Sequence, residues 1–255
     1  MIRKRDHMLL AQEGPHGPSL RLLSAIARHT CLALLWVRRA ALRYVAVFAM
    51  ICATGLALAS EQTTMLLDAV TEGNTAEVER LVAAGADLDA RDSARRTALL
   101  IATRVNEIEI ARLLIDAGAD VNAKDNNHDT PFLYAGAEGR NEILRLILNS
   151  GRADLTDTNR YGGTALIPAA HHAHPETVRM LLATEIDIDH VNSLGWTALM
   201  EAVILGDGGP VYREIVADLL AAGARQIPDR DGVSPLAHAR HHGFAEIARA
   251  LEAAN

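Results

Sequence analysis

Six short phrases recur along this chain at a nearly fixed distance, and that period constrains the fold more than any other feature. Thr64, Thr97, Thr130, Thr164, Thr197 and Ser234 open TMLLDA, TALLIA, TPFLYA, TALIPA, TALMEA and SPLAHA, at successive spacings of 33, 33, 34, 33 and 37 residues. A period in this range is the signature of a stacked-repeat architecture. Nine residues after each mark stand Gly73, Asn106, Gly139, Ala173, Gly206 and Gly243. A helix is expected to end there, because Gly and Asn tolerate the left-handed conformation of such an ending. A second apolar stretch follows, as in VERLVAAG, IARLLIDAG, ILRLILNSG and IVADLLAAG.

Each unit therefore predicts a helix, a tight turn, a second helix and a polar hairpin loop such as residues 123–128. The Thr or Ser oxygen is placed to cap the first helix, and Pro131 and Pro235 fall at its first position, where a missing N–H costs nothing. Ala69, Ala102, Ala135, Ala169 and Ala202 are small enough for neighbouring first helices to approach closely. One unit alone cannot bury its apolar face. Six in a row bury it between neighbours. The last second helix, ending at Asn255, reads as shortened, in the manner of a terminal cap.

These phrases resemble the ankyrin repeat, whose T-P-L-H-x-A and G-A-D-V-N-A signatures are visible in TPFLYA (130–135) and GADVNA (118–123). The resemblance covers about residues 62–255 and implies an all-α solenoid of stacked helix-turn-helix units with short hairpin loops. The six repeats start near 64, 97, 130, 164, 197 and 234. One departure stands out: the fourth motif position is Leu67, Leu100, Leu133, Ile167, Met200 or Ala237, never His. The Thr–His hydrogen bonds that join ankyrin repeats are expected to be replaced by apolar packing.

Charge divides the chain in two. Residues 1–59 hold eight Lys/Arg against two Asp/Glu, a balance of +6, and residues 60–255 hold 17 against 30, a balance of −13. An acidic body whose only lysine is Lys124 is repelled by phosphate backbones and anionic membrane surfaces. Nucleic acid is thus excluded as a partner, and so is a membrane once the leader is removed. Val45 to Leu58, VAVFAMICATGLAL, follows Arg38, Arg39 and Arg43 and ends at Ala57-Leu58-Ala59, the layout of a secretory signal peptide. We expect residues 37–59 to be the signal peptide, cleaved before Ser60, and residues 60–255 to be a periplasmic or secreted ankyrin-repeat domain. An uncleaved anchor is the competing reading, since Ala40 to Ala59 reaches the ~20 residues of a bilayer span. Residues 1–36 read as a leader or an untranslated extension, with translation starting near Val37. Both cysteines, Cys31 and Cys52, fall before the cleavage point, so the mature chain is expected to use neither disulfides nor thiolate chemistry.

The resemblance implies recognition of a protein through loop tips and the exposed side of the first helices, by a monomer without cofactors. The corresponding positions are Arg95, Arg96, Asn127, His128, Arg160, Tyr161, Leu194, Trp196 and Arg230. Interface hot spots favour Trp, Tyr and Arg, and Trp196 is the only tryptophan after residue 60. It serves either the partner or the packing of its hairpin. The fifth repeat carries about four extra residues in LGDGGPVYREI, read as a loop that is functional or merely tolerated. His171, His172 and His174, with His241 and His242 two repeats on, invite a metal or small-ligand reading typical of an envelope stress protein. However, neighbours at i and i+1 on a helix point apart. No GxSxG, HExxH or phosphate-binding glycine loop is present, and the repeated Asp87, Asp120 and Asp154 read as structural turn residues. A binding module is therefore expected rather than an enzyme. Inhibitor, immunity-type protein and host-directed effector are specific versions of that role.

Overall fold

The period becomes two parallel rows of helices. A computed structural model describes residues 64–254 together with positions 50 and 62, all but Met50 within the unit Leu58–Asn255. The signal-peptide and leader expectations lie outside the described residues. First helices are α1 (64–71), α3 (Ala98–Val105), α5 (Pro131–Ala137), α7 (Leu166–His171), α9 (Ala198–Ile204) and α11 (Pro235–His241). Second helices are α2 (Thr75–Ala83), α4 (Ile108–Asp116), α6 (Asn141–Asn149), α8 (Pro175–Leu182), α10 (Pro210–Ala221) and α12 (Ala245–Ala253). From α3 to α12 the two helices of each repeat pack together, and from α2 to α10 each helix packs on its counterpart in the next repeat. No strand occurs among the described residues.

The core is one spine running through the stack. The third motif position supplies Leu66, Leu99, Phe132, Leu166 and Leu199, all fully buried, and the second helices add Leu81, Leu114, Ile147, Leu181, Leu219 and Leu251. The motif alanines are buried as well. Burying each large apolar side chain contributes about 1.5–3 kcal/mol. Gly136 extends the small-residue logic, since a Cβ there would stand 2.8 Å from that of Ala165.

Thr97, Thr130, Thr197 and Ser234 cap their helices, accepting from the N–H three residues on at 3.0–3.3 Å. Thr164 does not. Its helix begins one residue later, with Ala165 as the cap, and the Thr164 hydroxyl is buried without a hydrogen-bond partner. Pro168 is the cause: it has no N–H to close the first turn onto the Thr164 carbonyl.

Each hairpin is locked by one Asp or Asn. Asp92, Asp125, Asn159, Asn192 and Asp229 each accept from the N–H groups two and four residues on, within 3.1 Å. The turn then needs a left-handed residue, which is Gly162, Gly195 and Gly232 in three repeats but Arg95 and His128 in two. The Asp87, Asp120 and Asp154 carboxylates each accept from the N–H two residues on, as turn residues do.

Three expectations about the later repeats change. Gly73, Asn106, Gly139, Ala173 and Gly243 are left-handed, whereas in the fifth repeat that role moves from Gly206 to Gly208. Most of the extra residues there form helix rather than loop: α10 has 12 residues where α4 and α6 have 9, with Pro210 at its first turn. Pro at the first position and an apolar face toward α8 and α12 favour extending the helix backwards. The final helix is not shortened either. α12 has 9 residues, an Ala-rich helix-forming stretch that buries Ile247, Ala248 and Leu251.

Candidate functional site

The fifth motif position lies on the hairpin side of the first helices. It holds Asp68, Ile101, Tyr134, Pro168, Glu201 and His238. Between Tyr134 and Glu201 the short Pro168 leaves room, and a cavity of about 460 Å³ opens across repeats three to five. Its floor comes from the first helices (Tyr134, Pro168, His171, Glu201, with Leu205 at the end of α9), and its outer wall from the hairpin tips Arg160, Tyr161 and Leu194.

The tips are held rigidly. The Ser193 N–H donates to the Tyr161 carbonyl at 2.9 Å, which joins consecutive hairpins. Tyr161 and Leu194 remain 54% and 49% exposed at the rim. The Arg160 guanidinium lies over the Tyr161 ring at 4.8 Å, and that of Arg104 lies over Tyr134 at 4.5 Å, distances suited to cation–π attraction.

Glu201 is the chemically unusual group of the floor. It is buried, 6% exposed. Its Oε1 accepts from Asn192 Nδ2 at 2.7 Å, and its Oε2 stands 3.5 Å from His171 Nδ1. Burial pushes the Glu201 carboxyl up to about 7, and the Asn192 bond opposes this only in part. Burial lowers the His171 pKa, and the nearby His172 lowers it further. Both shifts favour the neutral forms and so weaken the Glu201–His171 contact as an ion pair. At the near end, burial and the Asp125 carboxylate raise Asp129.

Of the residues expected at a binding surface, Arg160, Tyr161 and Leu194 are brought together here. Trp196 is half-buried at the end of its hairpin and does not line this cavity; its backbone N–H bonds Asn192. Asn127 is exposed one hairpin earlier, 3.5 Å from Arg160. Arg95 and His128 are exposed and occupy the left-handed turn positions. Arg96 pairs with Asp92 at 2.6 Å beside a larger cavity of about 620 Å³ next to α1. Arg230 donates to the Ser193 carbonyl at 2.5 Å and packs over Gly195, so it braces the preceding hairpin.

Sequence reading missed Tyr134, His171, Glu201 and Leu205 as cavity residues. A carboxylate inside the otherwise apolar TALMEA was the available signal. The His171, His172 and His174 rings are neighbours, with successive centroids 4.8 and 6.3 Å apart. A His172 ring nitrogen lies 2.7 Å from the Ala137 carbonyl oxygen, His174 stands against Gly139, and no group of three His, Cys, Asp or Glu is arranged to hold a metal among the described residues.

A family model for ankyrin repeats (three copies) matches residues 39–125, 66–159 and 132–226. Among solved structures, the chain is similar to an ankyrin-repeat domain from Acinetobacter baumannii AYE. Identity there is 53%, 74% of this chain and 96% of that chain are covered, and the TM-score is 0.72. It is also similar to the ankyrin-repeat protein EF0377, with 42% identity, 76% and 98% coverage and a TM-score of 0.74. The ankyrin-repeat domain of Bcl-3, a member of the IkappaB family, follows at 32% identity, 75% and 86% coverage and a TM-score of 0.68. No curated protein matches the chain in sequence.

Proposed function

We infer, on the premise that this chain belongs to the ankyrin-repeat family, that it is a protein-interaction module whose partner docks in the groove of repeats three to five. The observation that carries this reading is the rim: Tyr161, Leu194 and Arg160 stand exposed around a preformed cavity on tips that are already hydrogen-bonded into shape. Aromatic and arginine anchors beside a pocket are where binding energy concentrates, and rigid tips lower the entropy cost of docking. The module acts by binding and carries no catalytic step.

The leader composition supports action outside the cytoplasm, as a periplasmic or secreted monomer. An inhibitor or immunity-type protein that blocks an enzyme there is the specific role we favour. Affinity capture from an envelope fraction with the full chain tests the docking surface. Tyr161→Ala with Leu194→Ala should reduce capture at least tenfold at unchanged melting temperature. Trp196→Ala should have a smaller effect. Capture that ignores the double substitution would move the docking surface elsewhere. Recovery of the chain only from the cytoplasmic fraction, with residues 37–59 still attached, would remove the export reading.

A further inference from the structure

The cavity has more structure than a docking groove requires, and its floor selects a chemistry. We propose that it receives a cationic side chain, arginine or lysine, from a basic segment of the partner protein, with the Glu201 carboxylate as its counter-ion. This rests on the groove reading above and names the partner chemistry at the same site.

Three observations point the same way. First, Glu201 is 94% buried by area, since only 6% is exposed, and that remaining surface opens on the cavity. Its Oε1 is held by Asn192, whereas Oε2 accepts no hydrogen bond among the described residues and has only the weak His171 approach at 3.5 Å. Oε2 thus keeps an acceptor site open toward the cavity, and an incoming N–H group can donate to it. Second, the lining carries three carboxylates, Asp129, Glu138 and Glu201, against one guanidinium, Arg160. Arg160 lies over the Tyr161 ring and, with Arg104 at 4.0 Å, faces Asp129, which leaves Glu201 without a guanidinium of its own. Third, residues 60–255 carry a balance of −13, a field that draws basic segments toward the groove.

The other charged groups on elements packed against α9 do not fill the place of a cation. On α7 and at its end, His171 is held toward the neutral form, and a His172 ring nitrogen lies against the Ala137 carbonyl oxygen. On α10, the Tyr212 hydroxyl donates to the His171 carbonyl, Glu214 and Asp218 both pair with Arg179, and Arg213 is exposed. On α11, His238 pairs with Asp229 and Arg240 with Glu252, while His241 is exposed. A bound cation holds Glu201 in its charged form. Affinity should therefore rise with pH, and protonation of His171 at low pH acts in the same direction.

The probe is a capped tripeptide, acetyl-Gly-Arg-Gly-amide, titrated into the full chain while the Asn192 side-chain amide is followed by NMR. The isosteric neutral control replaces arginine by citrulline. We expect the arginine peptide to bind at least tenfold more tightly than the citrulline peptide. Its affinity should rise about tenfold from pH 6 to pH 8, as a carboxyl of pKa about 7 passes from mostly protonated to mostly ionised. Glu201→Gln keeps the Asn192 bond and should abolish both differences. Equal binding of the two peptides by the natural chain overturns the inference, without any variant having to fold, and leaves the groove as a docking surface. Binding of neither overturns it as well, and the docking reading is then decided by the capture experiment, which does not involve Glu201.

Discussion

The second and fifth repeats open with nearly the same phrase, TALLIA and TALMEA, and bury the same spine, yet they differ wherever a side chain leaves it. In the second, Ile101 fills the outward motif position and Asn106 alone turns the chain into α4. In the fifth, Glu201 stands at that position. The turn widens to Gly208, which is pressed against the Phe244 ring of the sixth repeat, and an added turn of α10 sends the Tyr212 hydroxyl to the His171 carbonyl of the fourth. The fifth repeat is thus fastened to both neighbours by contacts the second lacks. Repeat architecture tolerates such specialisation because stability is shared along the spine, while each outward position answers only to its own surroundings.

The largest effect should come from the part the two repeats share. Leu99→Ala and Leu199→Ala remove equivalent fully buried side chains and should each cost about 2–5 kcal/mol in chemical denaturation. A difference between them beyond about 1.5 kcal/mol would show that the fifth repeat does not use the same spine.

An intermediate effect should separate them by pH. Glu201 has a carboxyl pKa of about 7 in the fold against its ordinary 4.5, so the unfolded chain releases this proton first as pH rises. The contribution is most favourable below about 4.5, is lost between 4.5 and 7, and stays level above. The loss should be about 2 kcal/mol once partial access of solvent is allowed for. Denaturation at pH 5 and pH 8 should show Glu201→Gln losing that much less stability than the natural chain. Equal losses would mean that Glu201 is ionised in the fold throughout.

The smallest effect tests the added turn. Tyr212→Phe removes one hydrogen bond of 2.8 Å at a half-buried site and should cost about 1 kcal/mol. A neutral result would assign the extra residues of α10 no part in joining the fourth and fifth repeats.

Much of the fold could be read from residues alone because its causes are local. Thr97, Thr130, Thr197 and Ser234 cap by reaching three residues ahead, and the motif alanines recur because each repeat meets the same neighbour. The failures were also physical. Thr164 lost its cap to Pro168, four residues on. The glycine-rich stretch 205–209 is loop as read, but Pro210, read with it, opens the helix instead, and most of the added length lies in α10. At the candidate site the exposed tips Arg160, Tyr161 and Leu194 were visible as polar-loop residues between periodic segments. Glu201 was harder to read: the carboxylate inside TALMEA is the signal, but its burial arises only when the repeats and hairpins stack around it.

The sequence by itself determined the period, the pairing of helices and the line of residues that must be buried, since hydrogen bonds and hydrophobic spacing within about 30 residues suffice for those. Only the tertiary structure decided where cavities open along the stack and that the floor of the one across repeats three to five holds a buried carboxylate. Cavity volume and burial depend on the relative sizes of Tyr134, Pro168 and Glu201, side chains that are 33 or 34 residues apart in the chain and neighbours only after stacking.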